Sequence, residues 1–442
     1  MLKAGWREPV EVLTAFAEEP WAIGFLSDGS DERGRWSYVA RCPDAVLRVD
    51  ARDKVDPFSA LATLLGKPSA RLQDGPPFQG GLAGLATYEF GDRIESLGLK
   101  RQGDWPDLAV GYYPAVLAFD HQERCTLAVG RGQDHDAAMT RAKDALALMA
   151  AACREPHVGE LSEAVVGSPP RAYRASVAEV VTRIAAGEIF QANIARSWTG
   201  RLVAGATPMD LLERLGHTSR APFAAYFRLE DMAVVSNSPE RFVQLDHQGQ
   251  VEARPIKGTR PRGPCPELDA AMAYELQTSA KDRAENLMIV DLMRNDVARV
   301  CRPGSVKVPR LWVLETFVNV HHLVSTITGQ LQDGLGAIDL LRAAFPPGSV
   351  TGAPKVQAMK TIARLEPPRG PYCGSMFWAG ADGAFDSNVL IRTVACTLDN
   401  AGWKLEARAG AGIVADSDPL AECRETEAKI SAILHAMTGT AS

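Results

Sequence analysis

The chain has 442 residues, 46% of them hydrophobic and 23% charged, which is typical of a globular protein. Its formal net charge of −6 argues against nucleic-acid binding, although local cations could still hold a small anion. The N-terminus lacks a signal pattern and no apolar run is long enough to span a membrane, so we expect no membrane association and a cytoplasmic location. The eight scattered cysteines form no C-x-x-C pair, which is typical of free thiols and not of a zinc site.

A chain of this length exceeds what one hydrophobic core usually serves, so we expect two lobes or a large composite sheet. The first 150 residues mix short β-like runs with Gly/Pro turns and end in a helical pattern at residues 136–151. A polar stretch at residues 153–170 follows and closes with Gly-Ser-Pro-Pro. It predicts a boundary between an N-terminal lobe, residues 1–155, and a second lobe, residues 168–437.

Helical and strand patterns alternate in the second lobe. Tyr173, Val177 and Ile184 follow helical spacing, and Gly187 ends that helix. Residues 266–300 read as one long helix, and Asp418-Pro419 opens another with a capping residue followed by proline. The main strand-like runs lie between these helices, at residues 190–199, 224–229, 232–236 and 242–245. Short strands interleaved with long helices predict an α+β protein built on large antiparallel sheets.

Lys257 is the centre of the segment Arg254-Pro-Ile-Lys-Gly-Thr-Arg-Pro-Arg262, in which prolines and isoleucine interrupt four cations. This pattern predicts an extended segment that carries its lysine into a partly apolar place. An amine there loses its proton more easily, and a neutral amine is a nucleophile. The alternative, and the commoner case for a single lysine, is a solvated surface charge.

Two of the predicted helices each carry carboxylates three residues apart. Asp282 and Glu285 lie on one helix, and Glu422 and Glu425 on the other, so each pair shares a helix face. Two such faces could converge on one hard cation, for which Mg²⁺ is the best fit because it takes oxygen ligands. Spacing alone also fits surface ion pairs, for example between Glu425 and Lys429.

Two loops and one arginine have the composition of anion sites. Residues 345–355 form a turn-rich loop whose glycines and Thr351 could direct N–H groups and a hydroxyl at an anion. The small residues Gly410, Ala411 and Gly412 could bring bare main chain to a ligand carboxylate. The alternative, and the commoner case for either loop taken alone, is a structural turn. Arg392, within a strand-like apolar run at residues 389–394, needs an anionic partner, for which a carboxylate is usual.

These motifs together resemble the chorismate-utilising enzymes: anthranilate synthase large component, aminodeoxychorismate synthase component I, and the isochorismate and salicylate synthases. The matching segments cover nearly all of residues 170–435 in family order; they are residues 187–193, 238–242, 254–263, 285–296, 320–327, 348–355 and 409–429. The resemblance implies a sandwich of large antiparallel sheets with helices outside, the fold of anthranilate synthase component I. It also implies that residues 168–437 are the catalytic, chorismate-binding lobe.

The resemblance further implies a role for each site residue. Mg²⁺ held by Glu285 and Glu425, with Glu422 and Asp282 alongside, would bind the ring carboxylate of chorismate. Arg392 and the main chain of residues 410–412 would hold the second carboxylate, and Glu240 would be the general acid for the departing 4-hydroxyl group. Further pocket positions are implied at Gln191, Gly258, Thr259, His322, Thr351 and Lys429.

Two positions separate the branches of this family. Gln191 stands where the water-adding branches place a lysine general base, which makes ammonia the expected nucleophile. Lys257 stands where anthranilate synthases usually carry a small residue, and Pro-Ile-Lys-Gly-Thr is the form of the aminodeoxychorismate synthase branch. The resemblance thus implies formation of 4-amino-4-deoxychorismate through a covalent adduct on Lys257, for p-aminobenzoate and folate synthesis.

The expected ammonia source is a separate glutamine amidotransferase subunit, because nothing in the chain resembles a glutaminase. The nearest alternative function is that of anthranilate synthase component I, which converts chorismate to anthranilate and pyruvate. An alternative of another class is a catalytically silent chorismate-binding subunit. Loss of Glu240 or of a metal carboxylate would have favoured the silent subunit, but all are present.

Overall fold

In the computed structural model, which describes residues 1–29, 32–103, 105–317 and 320–439, two large antiparallel sheets dominate the architecture. The strands in chain order are β1 Leu2–Gly5, β2 Ile23–Leu26, β3 Trp36–Ala40, β4 Ala45–Val49, β5 Gly81–Ala86, β6 Leu108–Tyr113, β7 Ala115–Asp120, β8 Cys125–Gly130, β9 Val165–Gly167, β10 Gln191–Arg201, β11 Phe223–Leu229, β12 Met232–Ser238, β13 Arg241–Leu245, β14 Gln250–Ala253, β15 Ile256–Pro261, β16 Lys307–Thr316, β17 Val320–Gln330, β18 Gly352–Ala353, β19 Ser375–Gly380, β20 Phe385–Asn388, β21 Thr393–Asp399 and β22 Gly402–Ile413.

The α-helices of the described residues lie between these strands. They are α1 Pro9–Thr14, α2 Pro57–Leu65, α3 Asp92–Glu95, α4 His135–Ala147, α5 Pro170–Ala185, α6 Pro208–Ser219, α7 Pro266–Thr278, α8 Ala280–Ala298, α9 Ala337–Ala344, α10 Lys355–Leu365 and α11 Pro419–Thr438. Single turns of 3₁₀-helix occur at Tyr88–Gly91, Leu148–Ala150 and Gly348–Val350. None of these helices is both long and apolar enough to cross a membrane.

The two sheets draw on both ends of the chain. Sheet one has the strand order β1-β8-β7-β3-β2-β11-β12-β21-β22-β10-β18, with β9 also paired to β10. Sheet two has the order β15-β17-β14-β13-β20-β19-β5-β6-β4, with β16 also paired to β17. Strands from both sides of the expected boundary at residues 155–168 therefore share each sheet, and the division into two lobes stays a prediction.

Three apolar clusters hold these layers together. The first lies between the sheets, where Tyr38 and Phe227 of sheet one share a core with Trp378 of sheet two. The second packs α1, α6 and α11 against the outer face of sheet one, and the third packs helices that include α2, α8 and α9 against sheet two. This confirms the expected α+β sandwich with helices outside, because burying one face of each sheet requires a covering layer.

Two expected elements are wrong in detail. The single helix expected over residues 266–300 is two helices, α7 and α8, which meet at Ser279. Ser279 is extended, and its hydroxyl accepts a hydrogen bond from the N–H of Asp282, as an N-cap does. The strand expected at residues 389–394 is also wrong, because β20 ends at Asn388 and β21 begins at Thr393, which leaves Arg392 in the connecting bend.

Candidate active site

Lys257 lies in β15, at the edge of sheet two. The register between β15 and β17 shifts between Ile256 and Thr259, so Lys257 and Gly258 form an irregularity in the ladder. Gly258 has φ +83°, a left-handed conformation that favours glycine. Burial lowers the pKa of Lys257, and the nearby Lys429 ammonium acts in the same direction, while carboxylates oppose the shift. The residue is therefore more easily deprotonated than an ordinary surface lysine.

Gln191 opens β10 in sheet one and is completely buried. Neither atom of its side-chain amide has a hydrogen-bond partner among the described residues. Strand β22 lies beside it, with Gly412 opposite Asn193. A Cβ atom placed on Gly412 would be 2.8 Å from Gln191 Nε2 and 3.2 Å from Lys257 Nζ. A buried amide without a partner is costly, so this amide faces a place where a polar ligand can satisfy it.

Glu240 precedes β13 and is 4% exposed. Burial raises the pKa of its carboxyl group to about 7. A hydrogen bond from the Ser349 hydroxyl, the charge of Lys257 and the N–H of Ile256 all oppose that shift. A carboxyl group with a pKa near neutrality can hold a proton and release it, which is the property of a general acid.

The loop before α10 lies against the strand that carries Gln191. The carbonyl of Thr351 accepts a hydrogen bond from the N–H of Asn193 at 2.9 Å, and β18 pairs Ala353 with Gln191. The Thr351 hydroxyl, which was expected to face an anion, donates to the carbonyl of Pro347 at 2.8 Å. Ser349, which the motif contained but sequence reasoning did not single out, is the residue that reaches the Glu240 carboxyl.

His322 and Thr259 face each other across β17 and β15. Their side chains are joined by a hydrogen bond of 2.9 Å between Thr259 Oγ1 and His322 Nδ1. Burial and the charge of Arg392 lower the pKa of His322 to about 4, so the imidazole is neutral near neutral pH. A neutral imidazole held by a hydroxyl is suited to hydrogen bonding with a ligand oxygen.

Arg392 adopts φ +49°, which is uncommon for a residue with a side chain. Burial lowers the pKa of Arg392, and in the described parts of the chain no carboxylate pairs with it. Its positive charge helps to lower the pKa of His322. A buried guanidinium without a protein anion is suited to bind a ligand carboxylate.

Three carboxylates of α8 and α11 surround one ammonium group. Lys281 Nζ lies 3.9 Å from Glu285 Oε1 and 3.7 Å from Glu422 Oε1, and its charge also lowers the pKa of Glu425. The two helices therefore converge, as expected. Asp282 lies beside this group, but its carboxylate is 3.1 Å from Arg260 Nη2.

No three His, Cys, Asp or Glu side chains within the described ranges are grouped closely enough to hold a metal ion by themselves. The candidate metal ligands on α8 and α11 are nevertheless all carboxylate oxygens, and two of these carboxylates already pair with the ammonium group of Lys281. Mg²⁺ keeps several waters and takes oxygens from an anionic ligand, so one or two carboxylates suffice to hold it. The carboxylates of α8 and α11 therefore fit an open magnesium site.

Lys429 joins α11 to the small-residue strand β22. Its ammonium group lies 2.6 Å from Glu425 Oε1 and donates to the carbonyl of Gly410 at 3.0 Å. The ion pair between Glu425 and Lys429, which was the alternative to a metal site, is thus present. It occurs together with the convergence of α11 and α8. Ala411 is 1% exposed, and a Cβ atom on Gly410 would lie 2.7 Å from the carbonyl oxygen of Ile194. Only a residue without a side chain fits there.

Residues 25–435 match the family model of the chorismate binding enzyme. Aminodeoxychorismate synthase component 1 of Salmonella typhimurium is 44% identical over 439 residues, covering 94% of this chain and 93% of that protein. Anthranilate synthase component 1 of Streptomyces coelicolor is 37% identical over 463 residues, covering 97% of this chain and 87% of that protein. The crystal structure of anthranilate synthase component I from Streptococcus pneumoniae TIGR4 is 27% identical, with a TM-score of 0.79 over 90% of this chain and 92% of that one. The fold, the assembled side chains and this similarity agree: the chain belongs to the family of chorismate binding enzymes.

Proposed function

We propose that this enzyme adds ammonia to chorismate and forms 4-amino-4-deoxychorismate. The observation that carries the proposal is that Lys257 Nζ and the unpartnered amide of Gln191 both lie beside Gly412. A water-adding enzyme needs a base at the position of Gln191, and an amide has no basic nitrogen. The chain is more similar to the aminodeoxychorismate synthase component 1 described above, at 44% identity, than to the anthranilate synthase component 1, at 37%. This difference also supports aminodeoxychorismate as the product.

Lys257 is the proposed nucleophile. In its neutral form it attacks C2 of the ring, both conjugated ring double bonds shift, and the C4–oxygen bond breaks. Glu240 supplies a proton to the departing hydroxyl group, which leaves as water. Burial favours the neutral amine of Lys257 and the protonated carboxyl group of Glu240, because it lowers the pKa of the lysine and raises the pKa of the carboxyl group to about 7.

Ammonia then completes the exchange. It adds at C4, both double bonds return to their original positions, and the C2–nitrogen bond to Lys257 breaks, so the lysine is regenerated. The new ammonium group returns a proton to the Glu240 carboxylate. The Oε1 atom of Gln191 can accept an N–H bond from the incoming ammonia, which gives the buried amide the partner it lacks. No proton needs to be removed before the attack, since ammonia is already neutral.

The remaining groups bind and orient the substrate. Arg392 and the main chain of residues 410–412 would hold one carboxylate of chorismate, with His322, Gly258 and Thr259 lining the same pocket. Glu285 and Glu425, with Glu422 and Asp282 beside them, would hold Mg²⁺ against the ring carboxylate, and Lys429 fixes the position of Glu425. When bound, the ion neutralises that carboxylate and draws electron density from the ring.

We also propose that a separate glutamine amidotransferase subunit supplies the ammonia in the cytoplasm, and that the product serves p-aminobenzoate and folate synthesis. The name of the Salmonella typhimurium relative, component 1, supports a partner component. The purified chain alone should then use ammonium salts but not glutamine.

Product identification tests this function. The purified chain is incubated with chorismate, Mg²⁺ and an ammonium salt, and the products are separated and identified by mass spectrometry. Aminodeoxychorismate without release of pyruvate is the expected result. Anthranilate together with pyruvate, or an isomer of chorismate with its hydroxyl group moved to C2, would overturn the proposal.

A further inference from the structure

Among the described residues that are almost completely buried, Arg369 is the largest, with 1% of its surface exposed. It lies four residues beyond α10, in the connection to β19. Its guanidinium forms a bidentate ion pair with Glu366, at 3.0 Å from Nε to Oε2 and 2.9 Å from Nη2 to Oε1. Taking both charges out of water is costly, and a buried pair of this kind is often no more stabilising than apolar residues of the same volume. Stability alone is therefore a weak explanation for it.

The donors of Arg369 that face away from Glu366 reach two different elements. Nη1 donates to the carbonyl of Val350 at 3.0 Å, and Nη2 donates to the carbonyl of Asn193 at 2.7 Å. Glu366 Oε1 accepts a further bond from the N–H of Ala195 at 2.7 Å. The ion pair thus joins strand β10 to the loop before α10 by hydrogen bonds to main-chain groups of both.

Both of these main-chain groups lie beside residues of the proposed active site. Val350 follows Ser349, whose hydroxyl reaches the Glu240 carboxyl. Asn193 is two residues from Gln191 on the same strand, so the side chains of both point to the same face. No atom of Arg369 is needed for the chemistry itself, and its contact with the site is indirect.

We propose that Arg369, paired with Glu366, is a positioning residue that holds the Ser349 loop against the Gln191 strand and so keeps the Ser349 hydroxyl on the general acid Glu240. This inference rests on the proposed function, in which Glu240 protonates the leaving hydroxyl group. A guanidinium suits the task because its planar fork donates in several fixed directions at once. A lysine could balance the charge of Glu366 but could not hold both carbonyls in the same geometry.

The groups that surround Glu240 and Arg369 determine how the pKa of the Glu240 carboxyl group would respond to a substitution. Lys257 on β15 is the charged neighbour that acts on Glu240. Arg369 is faced by Glu366 on its own segment, by the ring of Tyr88 at 4.7 Å and by Cys373 and Tyr372. Glu89 accepts from the N–H of Arg369 at 2.7 Å and does not pair with its guanidinium. Loss of the Ser349 hydrogen bond would raise the pKa of Glu240, because that bond stabilises the carboxylate.

Arg369→Lys tests the proposal, with Arg101→Lys as the matched control. Arg101 is also largely buried and forms a bidentate ion pair, with Asp107, outside the proposed site. We expect Arg369→Lys to lower kcat about tenfold while KM changes by less than about threefold, since a small misplacement near the reacting groups costs rate more than binding. The ¹³C NMR titration of the Glu240 carboxyl group should move to higher pH. The control should change neither quantity.

Two further variants keep the test decisive if Arg369→Lys does not fold. Glu366→Gln retains the hydrogen bond to Ala195 and should shift the Glu240 titration in the same direction. Ser349→Ala should produce the full shift, and adding Glu366→Gln or Arg369→Lys to it should produce no more. Unshifted titrations in both variants, or full additivity with Ser349→Ala, would overturn the proposal. The NMR titration does not require turnover, so it separates this outcome from a failure of the proposed function, which would show as absence of aminodeoxychorismate from the unaltered enzyme.

Discussion

Lys257 and Gln191 approach the same glycine from opposite sheets of the sandwich. Lys257 belongs to β15 at the edge of sheet two, and Gln191 to β10 in sheet one. A methyl group on Gly412 would stand 3.2 Å from the amine and 2.8 Å from the amide nitrogen. The site therefore depends on the packing of the two sheets, because neither sheet contains both groups.

Gly412→Ala should reduce activity strongly and leave the fold intact. The added methyl group would meet only the ends of two side chains, which can move aside, so we expect the free energy of unfolding to change by less than about 1 kcal/mol. Displacing the amine and the amide should lower kcat about 100-fold. Gly5→Ala, at a strand glycine with open space around it, is the control. Normal turnover by Gly412→Ala would mean that the reaction does not depend on the Lys257 amine and the Gln191 amide beside Gly412.

Glu240→Gln should lower kcat by about 10²–10⁴-fold, because glutamine cannot donate the proton. The remaining rate should lack the ionisation near pH 7 that we expect in the pH–rate profile of the unaltered enzyme, because burial raises the pKa of Glu240 to about 7. A profile with that ionisation intact in the variant would assign it to another group.

The same substitution should stabilise the protein in alkaline solution. The folded pKa of Glu240 is raised above its unfolded value, so its ionisation opposes folding and stability falls as the pH rises through about 7. Removing the ionisable group should raise the free energy of unfolding by about 3 kcal/mol at pH values above 7, and by little in acid. Denaturant titrations at both pH values measure the difference, and equal effects at the two would contradict the raised pKa.

Much of this site was predictable from the sequence, because its residues fall in contiguous motifs. The carboxylates of residues 285 and 422 were expected to converge from two helices, and Lys281 now links them. That Gln191 and Lys257 belong to one pocket was implied by the family resemblance alone, since strand spacing says nothing about contacts between sheets.

Other features could not be derived because no local pattern encodes them. The break between α7 and α8 falls at Ser279, which is neither glycine nor proline, so the apolar stripe seemed continuous. Arg392 lies among apolar residues of strand composition, yet its left-handed φ ends the strand pattern. Arg369 acts through hydrogen bonds to main-chain carbonyls, and Ser349 acts through a hydrogen bond to Glu240. Neither residue has a sequence spacing that would identify it.

Glu285→Gln should weaken Mg²⁺ binding about tenfold or more, measured by calorimetry with and without chorismate. The effect should be larger with chorismate present, because the substrate supplies ligands to the same ion. Asp291→Asn, on the solvent-facing side of α8 with 78% of its side chain exposed, is the control and should bind Mg²⁺ normally. Unchanged affinity in Glu285→Gln would place the ion elsewhere.

Gln191→Lys should change the nucleophile that the enzyme accepts. An amine at this position can take a proton from water, which the amide cannot, so water should attack C2 as the C4 hydroxyl group leaves, and the expected product is the 2-hydroxy isomer of chorismate. Gln191→Met removes the amide without supplying a base, and it should lose the ammonia reaction without gaining the water reaction. Chromatography separates the isomer from chorismate, which has the same mass, and mass spectrometry identifies the amino product. An unaltered amino product from Gln191→Lys would show that this residue does not select the nucleophile.

The most direct test of the account is a search for the covalent adduct on Lys257. The enzyme is mixed with chorismate and Mg²⁺ in the absence of ammonia, quenched in acid, digested and mapped by mass spectrometry. We expect the dehydrated substrate on the peptide that contains Lys257, none in Lys257→Ala, and a normal amount in Lys360→Ala, which removes an exposed lysine. Aminodeoxychorismate formation by Lys257→Ala at the unaltered rate would contradict the account.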